Sequence, residues 1–380
     1  MSKYKIVSLP GDGIGIDTTD AAMKVLEISG FSNDVEFINA DIGWEFWKIE
    51  GNPLPERTID ILKESKCALF GAITSKPKEE AISELNPDLK SKGLVYYSPI
   101  VTLRQLFDLY TNLRPCKAYK GNPLNYRDDI NITVFRENTE GLYAGVEWHP
   151  VPQEVMDTFV NTHPKAKRFS QEKLEDLAIS TRIFTRKGCQ RIITKGFEYA
   201  KEFNFPNVTI VEKPNVIRET SGMMVREARK ISKSFPDVEL WETNIDAMAM
   251  WLVKNPQIYN VLVSSNMFGD IISDLSAQLI GGLGFACAGN IGDNFAVFEP
   301  THGSAPKYVG MNKVNPIASI LSAKMMLEWL GEKDFANTVE TAVEQVILEG
   351  KARTYDMGGK TSTSAMADEV CSKVAKLTKK

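Results

Sequence analysis

"NVLVSSNMFGDIISDLSAQLIGG", residues 260–282, joins a short apolar run to a longer segment that carries two carboxylates, Asp270 and Asp274, four residues apart. The run Val261–Val263 has the length and β-branched content of a buried strand, and the segment after it has the period of a helix. On a helix, positions i and i+4 share one face with Cβ atoms about 5–6 Å apart. Two acids so placed repel each other unless a cation, or a cluster of Lys or Arg, sits between them. Asp270 stands where a helix can begin after "NMFG", so an N-cap role competes for it. Asp274, one turn further in, has no such alternative.

The same strand-then-helix pattern recurs along the chain. "YKIVSLP" precedes "TTDAAMKVLEIS"; "ERTIDILKESK" precedes "CALFGAI"; "INITVFREN" stands alone; "NVTIVEK" precedes "TSGMMVREARKIS"; "DVELWE" precedes "IDAMAMWLVK". This alternation predicts an α/β fold with a partly parallel sheet. Residues 148–167, "WHPVPQEVMDTFVNTHPKAK", hold three prolines and little periodicity, and read as an insertion or arm rather than a linker between independent domains. No internal repeat or low-complexity stretch is present.

A chain of 380 residues accommodates one large or two ordinary domains. Its net charge of −4 arises from 45 basic and 49 acidic side chains with no long block of either sign, which argues against a nucleic-acid or anionic-membrane partner. The five cysteines are widely spaced and form no C-x-x-C pair, so neither a disulfide framework nor a thiolate zinc site is expected. A reducing, cytoplasmic location follows as the expectation. The start "MSKYKIVSLPGDGIG" lacks the apolar stretch of a signal peptide, and no 18-residue apolar run exists, so a soluble protein is expected.

Several polar positions are candidates for chemistry. "PGDGIGID" places Gly11, Gly13 and Gly15 after a predicted strand, but the spacing is not G-x-G-x-x-G and Asp12 sets a negative charge where a pyrophosphate would lie. A tight strand-to-helix turn is the better account. Arg104, Arg114 and Arg136 are planar forks suited to a substrate with two or three carboxylates, although each alone also reads as a surface ion pair. Lys213 closes a strand-like run before Pro214, at the end where open α/β sheets place ligands; it reads equally as a general base or as a solvated lysine. Tyr143 is a candidate proton donor or a rim residue. Asp246, at the front of a helix, has an N-cap role as its simpler account. The stretch 299–316, "EPTHGSAPKYVGMNKVNP", is a long ordered loop whose backbone N–H groups at Gly303, Ser304 and Ala305, with Lys307 and Tyr308, suit a phosphate and an adjoining ring.

Together these motifs resemble the β-decarboxylating dehydrogenases, the family of isocitrate, isopropylmalate and homoisocitrate dehydrogenases. "LPGDGIGID", "LRQLFDLYTNLRP", "FRENTEGLYAG", "EKPNV", "NIDAMAM", "NMFGDIISDLSAQLIGGLG" and "HGSAPKYVGMNKVNP" stand in that family's order over nearly the whole chain. The resemblance implies two α/β domains unrelated to the Rossmann unit. Residues 1–107 and 265–380 would form a large cofactor-binding domain, and 108–264 a small central, dimerisation domain with its arm near 148–167. It also implies a homodimer with active sites shared across the interface.

Carried over by position, Asp270 and Asp274 match metal-binding aspartates, and Asp246 matches one reaching in from the partner subunit, with Mg²⁺ or Mn²⁺ as the ion. Arg104, Arg114 and Arg136 match the arginines that hold substrate carboxylates, Ser98 a serine on the distal carboxylate, and Tyr143 and Lys213 the catalytic pair. Thr74 matches a threonine near the cofactor. His302, Gly303, Ser304, Ala305, Pro306, Lys307, Tyr308 and Asn315 match the adenosine-binding segment, and Tyr355 matches a phosphate-contacting tyrosine of the NADP type. Lys307 and Tyr308 stand where NAD-using relatives carry Asp and Ile, which favours NADP; Gly359 stands where some NADP enzymes carry arginine. The implied reaction is oxidation of a 2-hydroxy acid by hydride transfer to NADP, loss of CO₂, and reprotonation by Tyr143. Isocitrate, giving 2-oxoglutarate, is the expected substrate; Ile100 and Val101 beside Ser98 keep homoisocitrate and isopropylmalate as alternatives. A non-catalytic regulatory subunit is the alternative of another class, although Tyr143, Lys213 and the three aspartates are all in place.

Overall fold

A computed structural model of the chain describes residues 2–379. Its strands are β1 (Tyr4–Gly11), β2 (Val35–Asn39), β3 (Cys67–Ala72), β4 (Thr111–Lys117), β5 (Asn131–Glu137), β6 (Glu147–Trp148), β7 (Ile179–Ser180), β8 (Asn207–Glu212), β9 (Glu239–Asn244), β10 (Val261–Ser264), β11 (Cys287–Ile291) and β12 (Ala296–Pro300). Ten of them form one sheet in the order β2-β1-β3-β12-β11-β4-β5-β10-β8-β9, while β6 and β7 pair apart. The wings are parallel and the centre is antiparallel, where β11 pairs with β12 and β4, and β4 with β5. Strands from 1–107 and 265–380 fill one half of the sheet and those from 108–264 the other, and the halves meet at the β11–β4 pair.

Helices cover both faces. On one, a single core cluster runs across both halves, from Leu69 and Phe298 to Ile132, Val134 and Leu262. The helix Ile317–Trp329 is buried nearly all round and lies at the centre of this layer, as a helix apolar on every side must. The other face carries two separate clusters, one under the helices Arg186–Glu202 and Thr220–Ile231 and one around Leu62, Ile100 and Leu103. Each fully buried Ile, Leu or Phe contributes about 1.5–3 kcal/mol.

The arm at 148–167 is more ordered than its prolines suggest. It holds the helix Gln153–Thr162 and a 3-10 turn, Pro164–Phe169. Met156, Phe159 and Val160 recur at helical spacing between the prolines, but only Met156 is buried. The helix Asn266–Leu279 packs on β5 and on the helix Ile245–Lys254. The two aspartates quoted at the outset therefore lie over the half of the sheet built from 108–264.

Candidate active site

The glycine cluster is a turn. Gly13 has φ 59°, and a Cβ there would lie 2.3 Å from the carbonyl oxygen of Ser304; at Gly11 it would meet that of Ala72 at 2.0 Å. The absence of side chains lets this turn press against the end of β3 and against the long loop. Asp12 points inward, accepting from the N–H groups of Trp44 at 2.7 Å and Thr74 at 2.8 Å. Its charge thus fastens three segments together. Thr74 in turn shares a 2.7 Å hydrogen bond with Ser304 through the two hydroxyls.

The three arginines converge from two strands and a helix. Asn112, Arg114 and Cys116 are the buried side of β4, and register sets Asn112 beside Arg136 of β5 and Asn290 of β11. Arg104 projects from the helix Pro99–Leu106. All three guanidiniums are buried, with Arg136 only 1% exposed. A buried asparagine anchors each: Arg104 donates to Asn290 at 2.8 Å, Arg114 to Asn112 at 2.6 Å, and Arg136 to Asn266 at 2.7 Å. Glu299 also pairs with Arg104 at 3.1 Å.

The aspartates face this cluster. The helix begins at Asn266 after Ser265, so Asp270 sits in its second turn and not at its cap. Asp270 pairs with Arg136 at 2.5 Å and Arg114 at 3.2 Å, and Asp274 with Arg114 at 2.9 Å. The guanidiniums therefore supply the positive charge that the i,i+4 spacing demands. Burial raises the Asp274 carboxyl, with Arg114 opposing the shift. Burial and the neighbouring charges of Arg114 and Arg104 lower the Arg136 guanidinium. Tyr143, in a short turn between Gly141 and Gly145, donates to Asp270 at 2.9 Å. Burial and then the Asp270 charge raise its phenol, so it keeps its proton at neutral pH.

Lys213 and Asp246 are joined to each other and, among the described residues, make no hydrogen bond or ion pair with this group. The hydrogen bond from Lys213 holds the Asp246 carboxyl below its ordinary value. Asn244 occupies the cap position of this helix, so the capping account of Asp246 does not hold. Among the described residues no three His, Cys, Asp or Glu side chains gather as a metal site. Asp270 and Asp274 offer only carboxylate oxygens, the donors that suit a hard divalent cation, and could supply two of the ligands such an ion needs.

Beside the long loop lies a cavity of about 690 Å³, lined among others by Ile14, Gln278, Gly282, His302, Gly303, Ala305, Tyr308, Val314, Asn315, Tyr355 and Asp356. His302 Nε2 is buried there without a partner, and burial lowers its imidazole so that it is neutral at pH 7. An orphaned ring nitrogen in a glycine-rimmed cavity fits a nucleotide. Ser304 lies beneath the loop on Thr74, and Pro306 and Lys307 share the turn that presents Tyr308. The Tyr308 and Tyr355 rings are 5.3 Å apart. Lys307 lies 4.9 Å from the Tyr308 ring, and Lys313 lies 4.7 Å from that of Tyr355. Sequence reasoning passed over Lys313 and the "LIGGLG" glycines, whose clustering after the aspartate helix was the available signal.

Ser98 begins the arginine-bearing helix and its side chain makes no capping bond. Ile100 packs inward with Leu103 and Leu109, so Val101 and Thr102 are the half-buried side chains between Ser98 and Arg104.

The family described as isocitrate/isopropylmalate dehydrogenase matches residues 5–370. The chain is 38% identical to the protein DlpA of Legionella pneumophila over 98% of its own length, spanning 59% of that protein. It is also 38% identical to a 3-isopropylmalate/3-methylmalate dehydrogenase of Methanocaldococcus jannaschii, over 98% of this chain and 99% of that one. A crystal structure of isocitrate dehydrogenase from Methylococcus capsulatus superposes with a TM-score of 0.84 at 37% identity, covering 98% and 99% of the two chains.

Proposed function

The chain belongs to the isocitrate/isopropylmalate dehydrogenase family, and from that premise we propose that it oxidatively decarboxylates isocitrate to 2-oxoglutarate with NADP and a divalent cation. The observation that carries the reading is the convergence of Arg104, Arg114 and Arg136 on Asp270 and Asp274. Three buried forks suit a small acid with several carboxylates.

In this reading Arg104, Arg114 and Arg136 bind the carboxylates, and Ser98, with its hydroxyl free, takes the distal one. Asp270 and Asp274, with Asp246 of a second copy, would hold Mg²⁺ or Mn²⁺, which polarises oxygens that gain negative charge. Lys213, paired with Asp246 and acting in its neutral form, receives the hydroxyl proton. Tyr143, protonated at neutral pH, returns a proton to the carbon that loses CO₂. Homoisocitrate is the second substrate expected, because the apolar Val101 offers no donor to a distal group.

NADP is favoured by the cations beside the tyrosine pair. Lys307 and Lys313 bring two charges to the Tyr308–Tyr355 edge of the cavity, and a 2′-phosphate is drawn to such charges. The same reading assigns residues 1–107 and 265–380 to a large domain and 108–264 to a central one. A homodimer is supported by apolar side chains left uncovered on the two adjoining helices: Met250 53%, Val253 49% and Ile271 55% exposed. Among the described residues no helix is long and apolar enough to cross a membrane.

The test is steady-state turnover of isocitrate, homoisocitrate and 3-isopropylmalate with each nucleotide and Mn²⁺. The highest kcat/KM belongs to isocitrate with NADP. A maximum with isopropylmalate overturns the substrate assignment, and no turnover of any acid favours the regulatory-subunit alternative.

A further inference from the structure

Two of the arginine anchors are hydrogen-bonded to each other across the seam of the sheet. Asn290 lies on β11, in one half; Asn112 lies on β4, in the other, and the two are register partners. Asn112 Nδ2 donates to Asn290 Oδ1 at 2.8 Å. The remaining Asn112 oxygen accepts from Arg114 Nε at 2.6 Å, and Asn290 Oδ1 also accepts from Arg104 Nε at 2.8 Å. Asn290 Nδ2 donates to Glu299 at 2.7 Å, and Glu299 accepts from Arg104 Nη2 at 3.1 Å. Both asparagines are fully buried, so water cannot substitute for a lost partner.

We propose that Asn112 and Asn290 are positioning residues that act as one bridge, fixing Arg104 of one half of the sheet against Arg114 of the other so that the pair grips two carboxylates of one substrate. The proposal rests on the reading of the arginine cluster as a polycarboxylate site. Its physical basis is that a guanidinium bonded through Nε cannot rotate its fork, and two forks tied through one amide pair keep their separation. Arg104 Nη1 has no hydrogen-bond partner among the described residues, which leaves it for the ligand. Arg136, anchored on Asn266, lies outside the bridge.

The experiment is a double-mutant cycle with Asn112→Ala, Asn290→Ala and both together. It reads KM for the acid, KM for the nucleotide, and calorimetric affinity for succinate and citrate, neither of which is a secondary 2-hydroxy acid. Each single change raises KM for the acid about tenfold, more than it lowers kcat, and leaves the nucleotide KM in place. The double change exceeds the worse single by no more than about threefold, because one bridge has already been broken. Effects that multiply to about a hundredfold, or a KM that does not move, overturn the proposal.

If the alanine variants do not fold, Asn290→Asp alone and Asn290→Asp combined with Glu299→Gln decide. The combination exchanges amide and carboxylate and restores the bond between positions 290 and 299, but gives up the one from Arg104 Nη2 to Glu299 Oε1, so it recovers part of the acid KM that Asn290→Asp alone raises. A combination as impaired as the single change, or a harmless single change, refutes the bridge. The binding arm separates the two readings. If no acid turns over but the cycle is non-additive in citrate or succinate affinity, the proposed reaction fails and the bridge stands.

Discussion

Asp270→Asn removes one charge from a place where several groups compete for it. The carboxylate receives Arg136 at 2.5 Å, Arg114 at 3.2 Å and the Tyr143 hydroxyl at 2.9 Å. Stranding a buried charge by deleting its partner costs about 3–5 kcal/mol. Here the Asp270 side chain is 30% exposed, and Asn266 and Asn112 retain both guanidiniums, so about 1–3 kcal/mol is the expected loss. With an unfolding entropy of roughly 2.1 cal/mol/K per residue, that lowers Tm by about 1–4 °C, and the variant stays folded. Activity falls much further, because the proposed metal site loses an anionic oxygen ligand and Tyr143 loses its carboxylate partner. A drop of more than about a hundredfold in kcat/KM is expected, beyond the roughly 10–100-fold typical of losing an outer partner of a metal ligand. The assays are calorimetric scanning of chelated protein and Mn²⁺-dependent turnover. Full wild-type activity in excess chelator, or a variant within tenfold of wild type, refutes the ligand assignment. A Tm loss above about 10 °C shows instead that Asp270 serves mainly the arginines.

Lys307→Asp with Tyr308→Ile reverses the nucleotide preference, and Lys313→Met alone raises KM for NADP about tenfold without changing that for NAD, since a charge-assisted bond is worth about 1.5–3 kcal/mol; equal effects on both nucleotides refute a phosphate role for Lys313. Gly13→Ala forces a Cβ to within 2.3 Å of the Ser304 carbonyl and displaces the loop, so KM for the nucleotide rises more than KM for the acid; equal rises count against the loop placement. Glu340 supplies the pH prediction. Burial works against its ionisation, but Lys324 and Lys117 outweigh it and lower its pKa. Such a group stabilises the fold above the unfolded carboxylate range and loses that contribution as pH falls through its folded pKa. The Tm gap between wild type and Glu340→Gln should therefore shrink below about pH 4.5, and a gap constant from pH 7 to 3 would refute the argument.

Most of the parallel wings was legible, because β1, β3, β8, β9 and β10 are apolar runs beside periodic helices; the edge strand β2, "VEFIN", was not. Of the antiparallel centre only β5 was legible. β4 reads "TNLRPCK", with a proline and four polar side chains, because its buried face is an arginine-binding surface rather than a hydrophobic one. The same trade hid Asn112, Asn266 and Asn290: asparagine is expected in turns, and only the register of β4 and β11 reveals its role beneath the arginines. The two aspartates were legible by spacing, yet Asp270 also suited a helix cap, and the true start at Asn266 becomes apparent only once its side chain is seen to hold Arg136. Lys313 lay in plain view within the loop, but nothing in sequence set it beside Tyr355, forty-two residues away.

The lack of a direct contact between the two proposed catalytic pairs argues for what completes the site. Tyr143 and Asp270 touch each other, as do Lys213 and Asp246, but no hydrogen bond or ion pair links one couple to the other among the described residues. A reaction needing a proton taken from one atom and returned to another requires both couples around one small acid. Asp246 lies on the helix Ile245–Lys254, which carries the exposed Met250 and Val253, and Asp270 lies on the adjoining helix, which carries the exposed Ile271. Two copies docking through these apolar patches would bury the helices that bear the acids, and could bring Lys213 and Asp246 of each toward Tyr143 and Asp270 of the other. On that reasoning, mixing a Lys213→Met chain with a Tyr143→Phe chain, each inactive alone, yields heterodimers with one intact site and one doubly impaired site. About a quarter of wild-type activity is then expected after random reassortment, because half the dimers are mixed and each has one working site. Mixtures that stay inactive despite exchanging subunits would show that each chain assembles its own site.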